Sequence, residues 1–502
     1  MEIGSISNIY SLIFLPFFAS LSCQIFPNKK FCFSVTIFCF LGIFALILKI
    51  FPDILIYEKI SSDYDLSIVS LALEFSLDLM GIIFLSLIVF LEFLVIIFYK
   101  NDLENLLKSK HQANFYSVFL LKIFSLIALI LSNNLFNLFF FIEIYSFAFF
   151  AIATISFNKK LLNITFQNFC LSTSASLLIL ICFFSIYLIF GELNFEKIAD
   201  NLFLLPATNF WIMIDILILI SVAFIFKFFP LWQYFEKIKS SSLVASFLII
   251  DAFFIKTLLG IYLVMKFIYF FFGHNFLFTQ YQFSAIMIFI GFALIIYSSI
   301  KLFREHHLKL ICAFFSINNI GFMISAIAMQ SIESMQALFF FLLNFALVNF
   351  FIFIYATYQK NLYKTSSMKS LYKILVNNPL IAVPLKFTVL FIAGLPFTFL
   401  FFGYFYIGLA SFQIGINLMM ILALVFSNFV HFRVAIRIVN ASIINNKIPL
   451  KSNENIALSK INYYQIFVFW ILILAIYINV FSAGAVNNLA TRFALFLLSN
   501  SI

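Results

Sequence analysis

Residues 133–150 read NNLFNLFFFIEIYSFAFF, with Glu143 as the one charged side chain in a run of Phe, Leu and Ile. With its continuation to about 156 the run is long enough to cross the hydrocarbon of a bilayer as a helix, which takes about 20 apolar residues. An ionised carboxylate at such a depth costs at least a few kcal/mol. An acid placed there needs a partner or a purpose.

The rest of the chain has the same character. Of its 502 residues 64% are hydrophobic and 10% charged, and the mean hydropathy is +1.13. Soluble domains are about one quarter charged, so the composition predicts an all-α polytopic membrane protein. Apolar stretches of span length recur near 5–26, 31–51, 72–98, 113–131, 134–156, 167–190, 208–227, 243–265, 280–299, 308–328, 335–357, 379–402, 408–432 and 463–484. About 14 transmembrane helices are expected.

Loop charge supports this number independently, because cytoplasmic loops collect Lys and Arg. Every odd-numbered loop is basic, as in Lys29/Lys30, Lys100/Lys108/Lys110 and Lys301/Arg304/Lys309. Even loops are acidic or neutral, as in FPDILIYEKISSDYD at 51–65 and GELNFEKIAD at 191–200. The alternation predicts an even number of spans with both termini outside. It suits a bacterial inner membrane, with an organellar inner membrane as the alternative. These loops also account for most of the net charge of +10, so nucleic acid is not implied as a partner.

Several function classes drop out. The six cysteines form no CxxC pair, the five histidines have no metal-ligand spacing, and no Gly-rich phosphate loop is visible. Neither a cofactor nor a metal is expected, and no nucleophile constellation points to an enzyme.

The ionisable residues inside the spans remain. Lys122 and Glu143 each stand about ten residues from the turn at Ser132 and Asn133. At 1.5 Å per residue both lie roughly 15 Å deep, at one level. A facing Lys122–Glu143 pair would lower the cost of burying either charge and would couple their proton affinities. Either a proton relay or a static ion pair follows. Asp215, Lys227, Asp251 and Lys256 lie in spans seven and eight, and Glu92 lies late enough in span three to reach the interface. Asp251 and Lys256, five residues apart, point about 140° from each other and are poor partners.

Pro230 in KFFPLW and Pro396 in AGLPFTF break or kink spans seven and twelve. Broken helices five spans apart suggest two repeated five-helix units lining a polar path. The expected division is 1–112, 113–275, 276–435 and 436–502.

Several segments on these spans resemble one family. NLFNLFFFIE at 134–143 is similar to the DLFNLxVFFE signature of the D-type subunits of Mrp multisubunit cation/proton antiporters, a family related to the antiporter-like subunits of respiratory complex I (NADH-quinone oxidoreductase). GELN at 191–194 resembles the family's GxLN loop, LKLICAFFSINNIGF at 308–322 its LKRLLAYSSISQIGY, ALFFFLLNFALVNFF at 337–351 its ALFHLLNHALFKALLF, and AGLPFT at 393–398 its AGLPPT. The resemblance implies a proton/cation-translocating membrane subunit of a multisubunit complex, with other membrane subunits as partners and protons and sodium as cargo. Glu143 would be the family's essential glutamate. Glu143, Lys122, Lys227 and Lys256 are the implied relay residues.

The departures matter equally. Aligning Pro230 with the family's proline puts Ile225 where a lysine is expected and displaces Lys227 by two residues, while Lys256 falls on the span-eight lysine. Asn349 and Tyr404 stand where chargeable residues are usual, which implies that the second half lacks its chargeable centre. Two alternatives stay open: a complex I antiporter-like subunit, and a non-pumping scaffold subunit of either complex.

Overall fold

The computed structural model describes residues 2–61, 74–106, 109–155, 159–203, 216–220, 250–271, 283–363, 379–414, 417–443 and 463–499, with the single positions 222, 247, 368 and 371. Its helices are α1 (Glu2–Ile25), α2 (Lys29–Tyr57), α3 (Leu79–Leu106), α4 (Ser109–Leu131), α5 (Leu135–Ile155), α6 (Lys159–Phe190) and the short α7 (Phe195–Phe203). Next come α8 (Asp251–Phe271), α9 (Phe283–Arg304), α10 (Leu308–Met329) and α11 (Ile332–Leu362). The last are α12 (Pro379–Ile392), α13 (Phe399–Ile414), α14 (Asn417–Ile443), α15 (Tyr463–Phe481) and α16 (Ala483–Ser499). The described strands are one antiparallel pair, Lys59–Ser61 with Ser76–Asp78, registered Ile60 to Leu77.

The described residues divide into two compact units, 2–222 with 247–271, and 283–499. In the first, α4 packs on α1 and α5, and α5 on α6. In the second, α9 and α10 form a close hairpin and α11 packs on α13 and α16. The α9–α10 approach depends on Gly291 and Gly321. A Cβ on Gly291 would lie 2.7 Å from the Gly321 carbonyl oxygen, closer than any real contact allows. Central helices bury nearly all of their apolar windows, 94% in α10 and in α11. Peripheral ones show Phe38, Leu48, Phe184 or Leu418 at the surface, as lipid-facing helices must.

Eleven described helices are long and apolar enough to cross a membrane, twelve if the bent pair α15–α16 is one span. This is the polytopic all-helical protein that the composition predicts, with fewer described spans than the fourteen expected. Span seven, with Asp215, Lys227 and Pro230, lies outside the described residues apart from 216–220 and 222.

Two boundaries differ from expectation. Span eight reaches Phe271 and not 265. The break at AGLPFT is present, but it separates α12 from a second helix reaching Ile414, so span twelve runs to 414 and not 402. Hydropathy could not find that end, because 387–430 contains no charged residue. The break is built from local chemistry. Gly394 has φ 66° and Phe397 φ 68°, Pro396 lacks a donor, and Thr398 Oγ1 accepts from the Phe401 amide at 3.3 Å to start α13.

The turn joining α4 and α5 explains why GELN is needed. Gly191 takes φ 69° to end α6. Leu135 N then donates to the Leu193 carbonyl at 2.9 Å, and Phe195 N to the Asn133 carbonyl at 3.1 Å. Asn134 Oδ1 caps α5 and Asn194 Oδ1 caps α7, each accepting a backbone N–H at 2.9 Å. Both Asn residues satisfy donors that a helix start leaves orphaned.

Candidate proton-handling site

In the first unit three helices bring charge together. Lys122 of α4 extends its Nζ to Glu92 Oε1 of α3 at 2.7 Å and to Asp251 Oδ1 of α8 at 2.6 Å. All three residues are at most 2% exposed. Tyr145 of α5 donates to the other Asp251 oxygen at 3.4 Å. The faces of Phe119 and Phe247 lie 4.7 and 5.9 Å from the ammonium. Two carboxylates against one ammonium leave an excess negative charge, so the cluster has room for one exchangeable proton.

Asp251 begins a π-helical turn within α8, Asp251–Ile255. Such turns insert one residue and re-aim the side chains after it. Lys256, at the next position, is 3% exposed. Its Nζ stands 4.1 Å from the Phe149 ring centre and 5.5 Å from that of Tyr145. Cation–π contact partly offsets its burial, and among the described residues no carboxylate is paired with it.

The expected Lys122–Glu143 pair is not formed, which corrects the sequence reading. Lys122 turns to Glu92 and Asp251 instead. Glu143 is only partly buried and accepts a hydrogen bond from Ser176 of α6. Equal depth on adjacent helices fixes the level of two side chains but not their azimuth, and here the azimuths differ. Glu92 likewise does not reach the interface, because burial with Lys122 keeps it inside. Lys227 lies outside the described residues. Of the four relay candidates, Lys122 pairs with Asp251 of α8 and Lys256 lies on α8 itself, while Glu143 has a separate partner.

Two buried cations escaped the sequence reading, Lys266 and the Lys309 expected in a basic loop. Lys266 donates to the Ser132 carbonyl just beyond the end of α4, and its Nζ lies 3.5 Å from Tyr262 Oη. Tyr262 in turn donates to the Ile130 carbonyl at 2.7 Å. The last carbonyls of a helix lack intrahelical donors and carry its negative pole, so a cation is favoured there. The expected span stopped at 265 and left Lys266 in a loop. Shifting the apolar window by a turn would have found it.

The second unit holds a different core. Cys312 Sγ meets the Asn349 carbonyl at 3.0 Å, and Asn349 Nδ2 meets Ser316 Oγ at 3.3 Å, beside the π-helical turn Asn344–Asn349. Tyr404 Oη lies 3.1 Å from Ser427 Oγ and 3.1 Å from Nδ1 of His431, a residue with no exposure. Beside the Tyr404 that stands where a chargeable residue is usual, the structure thus places a buried histidine that the sequence reading did not single out. His431 was passed over because a lone His in an apolar run carries no spacing signal. Among the described residues no group of three or more His, Cys, Asp or Glu could hold a metal ion.

Residues 132–430 match the family model described as NADH:quinone oxidoreductase/Mrp antiporter, transmembrane. The D subunit of the Na+/H+ antiporter of Alkalihalophilus pseudofirmus is 23% identical over 282 residues, 56% of this chain and 56% of that one. The chain thus matches about half the length of that relative. In fold, the chain is similar to one in the Mrp complex from Dietzia sp. DQ12-45-1b, at TM-score 0.77 and 14% identity, covering 99% of this chain and 98% of the other. A chain of the membrane-bound sulfane sulfur reductase, an archaeal respiratory membrane complex, gives TM-score 0.72 and 17% identity, with coverage of 98% and 99%.

Proposed function

Since the chain belongs to the NADH:quinone oxidoreductase/Mrp antiporter transmembrane family, we propose that it is a proton/cation-translocating subunit of a multisubunit cation/proton antiporter. The observation that carries this is the buried Glu92–Lys122–Asp251 cluster with Lys256 on the same helix as Asp251. Here both carboxylates turn to Lys122, while Lys256, one helical turn from Asp251, is held by aromatic rings. A proton can therefore be shared among the four groups, and intramembrane ionisable groups mark proton relays.

On this reading a proton enters near Glu143, passes by water to the cluster and to Lys256, and each arrival changes the affinity of the next group. Lys227 takes part in this path. Sodium is the coupled ion, by analogy with the name of the Na+/H+ antiporter relative. Other membrane subunits surround the chain, as in the complexes that contain its structural neighbours. Residues 113–275 and 276–435 are the two five-helix repeats, flanked by 1–112 and 436–502. The basic odd loops support an orientation with both termini outside, and we take the membrane to be a bacterial inner membrane. The family also contains quinone oxidoreductase members, which supports a second reading in which redox chemistry in neighbouring subunits powers the same path.

The test is sodium-dependent proton movement in vesicles carrying the whole complex. Glu143→Gln keeps the shape and a group for Ser176 while removing the titration. Flux should fall at least tenfold with the chain assembled at normal level. Wild-type flux in this variant, or in vesicles lacking the chain, contradicts the proposal and leaves a scaffold role.

A further inference from the structure

The second unit contains a polar chain whose hydrogen-bond directions can be worked out from one end to the other. Ser298 Oγ donates to the Ile295 carbonyl at 2.9 Å, so toward Asn318 it can only accept. Asn318 Nδ2 supplies the donor, 3.2 Å from Ser298 Oγ and 3.1 Å from Ser299 Oγ. This orientation turns Asn318 Oδ1 to Ser427, whose hydroxyl donates to it at 2.9 Å. A serine has one proton to give, so Ser427 must accept from Tyr404 across their 3.1 Å contact. With its own proton committed, Tyr404 must accept from His431 Nδ1, also at 3.1 Å.

A neutral imidazole that donates from Nδ1 is an acceptor at Nε2. That atom is buried and meets no hydrogen-bonding partner. The other end of the chain is a backbone carbonyl, which cannot take a proton onward. Any proton reaching this ring must come and go at Nε2.

We propose that His431 is a proton-binding centre of the second unit, gaining and losing its proton at Nε2 while Tyr404, Ser427 and Asn318 fix the ring and its tautomer. The proposal deepens the transport reading above and rests on it for its role in flux. In the binding step the Nε2 lone pair forms an N–H bond as an O–H bond of hydronium breaks, leaving water. Release is the reverse, and nothing is oxidised or reduced. Elsewhere in this unit both amide atoms of Asn319 and Oδ1 of Asn344 are also buried without a protein partner. Buried polar atoms of this kind are normally met by water, the medium through which hydronium's proton reaches the ring.

The charged surroundings do not preempt the site. Phe315 of α10 meets the ring edge-on at 4.5 Å between centroids, and Tyr404 of α13 is the titratable group in contact. Lys386 of α12 and Lys301 of α9 are exposed. On α14 itself Arg433 lies over the Phe303 ring, and Arg437 donates to the carbonyls of Phe303 and Glu305. On α10 Lys309 lies 5.8 Å from the Phe353 ring centre, and Cys312 is bonded to Asn349. Among the described residues no carboxylate is paired with the ring.

The test uses the whole complex in lipid, with this chain labelled with nitrogen-15 histidine. At neutral pH one signal should report a neutral Nδ1–H tautomer, vanish in His431→Asn, and convert to imidazolium on acidification. An Nε2–H tautomer, or a ring that stays neutral at every pH the complex survives, overturns the proposal. Tyr404→Phe, which removes the acceptor, should raise the Nε2–H fraction. An unchanged tautomer ratio contradicts the positioning role.

Flux separates this idea from the reading beneath it. His431→Asn keeps an N–H for Tyr404 and should lower sodium-coupled proton flux at least tenfold in assembled complex. Loss of flux in Glu143→Gln with normal flux in His431→Asn sinks the proposal and leaves transport intact. Flux that does not depend on the chain at all sinks the transport reading, and the histidine spectrum then still decides protonation.

Discussion

The two units bury polarity in opposite ways. The first uses formal charge, with Glu92, Lys122 and Asp251 in direct contact and Lys256 and Lys266 held against aromatic faces and a helix end. The second strings neutral groups, Asn318, Ser427, Tyr404 and His431, along a directed chain. Charges removed from water carry a desolvation cost of several kcal/mol each, offset only with the partner in place. Neutral hydrogen bonds give about 0.5–1.5 kcal/mol net, and leaving one unmade costs about 1–3. The first arrangement is the more easily broken and has the stronger long-range influence on a passing ion. The second tolerates damage and responds only when a proton arrives.

Lys122→Met should produce the largest effect. It strands two carboxylates in the core, and breaking a buried pair on one side costs about 3–5 kcal/mol. The amount of folded chain in the membrane should drop sharply, read by immunoblot after mild extraction. The triple variant Glu92→Gln, Lys122→Met, Asp251→Asn removes every charge of the cluster together. Its level should recover while its flux stays low. Recovery of both would mean that the cluster is only structural, and the contrast between the units would lose its functional meaning.

Particular residues show how far sequence reaches here. The break at 393–398 was legible because Gly, Pro and a capping Thr act within six residues of one another. GELN was legible only as a resemblance to a family loop, and the parts that Gly191 and Asn194 play in ending α6 and capping α7 come from the structure. The partner of Lys122 was not legible, because Asp251 is 129 residues away and no local rule selects it over Glu143. In a soluble helix the polar face would have shown which way Lys122 points. A helix that is apolar all round gives no such face, so depth could be read and direction could not. His431 and Lys266 were missed for related reasons: one has no local companion, and the other sat a single residue past an expected boundary.

Ser427→Ala tests the second unit at intermediate size. It strips the donor from Asn318 Oδ1 and the acceptor from Tyr404 in one step. The expected destabilisation is about 1–3 kcal/mol, visible as a lower thermal midpoint of the purified complex without loss of expression. A collapse as deep as that of Lys122→Met would show that the neutral chain is as critical as the charged cluster.

The smallest effect should come from a charge pair of the first unit that is not buried. Lys59 pairs with Glu196 at the start of α7, with side chains 35% and 56% exposed. Burial pushes the Glu196 carboxyl up, but the hydrogen bond and charge of Lys59, with a hydrogen bond from Asn133, bring it below its usual 4.5. A depressed carboxyl adds stability that is present above its ordinary value and is lost as pH falls through its lowered one. The contribution should therefore fade on acidification below about 4.5 and be insensitive to pH near neutrality. Water and salt screen so exposed a pair, and such pairs give about 1 kcal/mol or less. Lys59→Ala should shift the thermal midpoint slightly at low salt and not at all at high salt. If it matched Lys122→Met, charge as such would govern the first unit, whatever its depth. A negligible, salt-erased shift leaves burial as the property that sets the cluster apart.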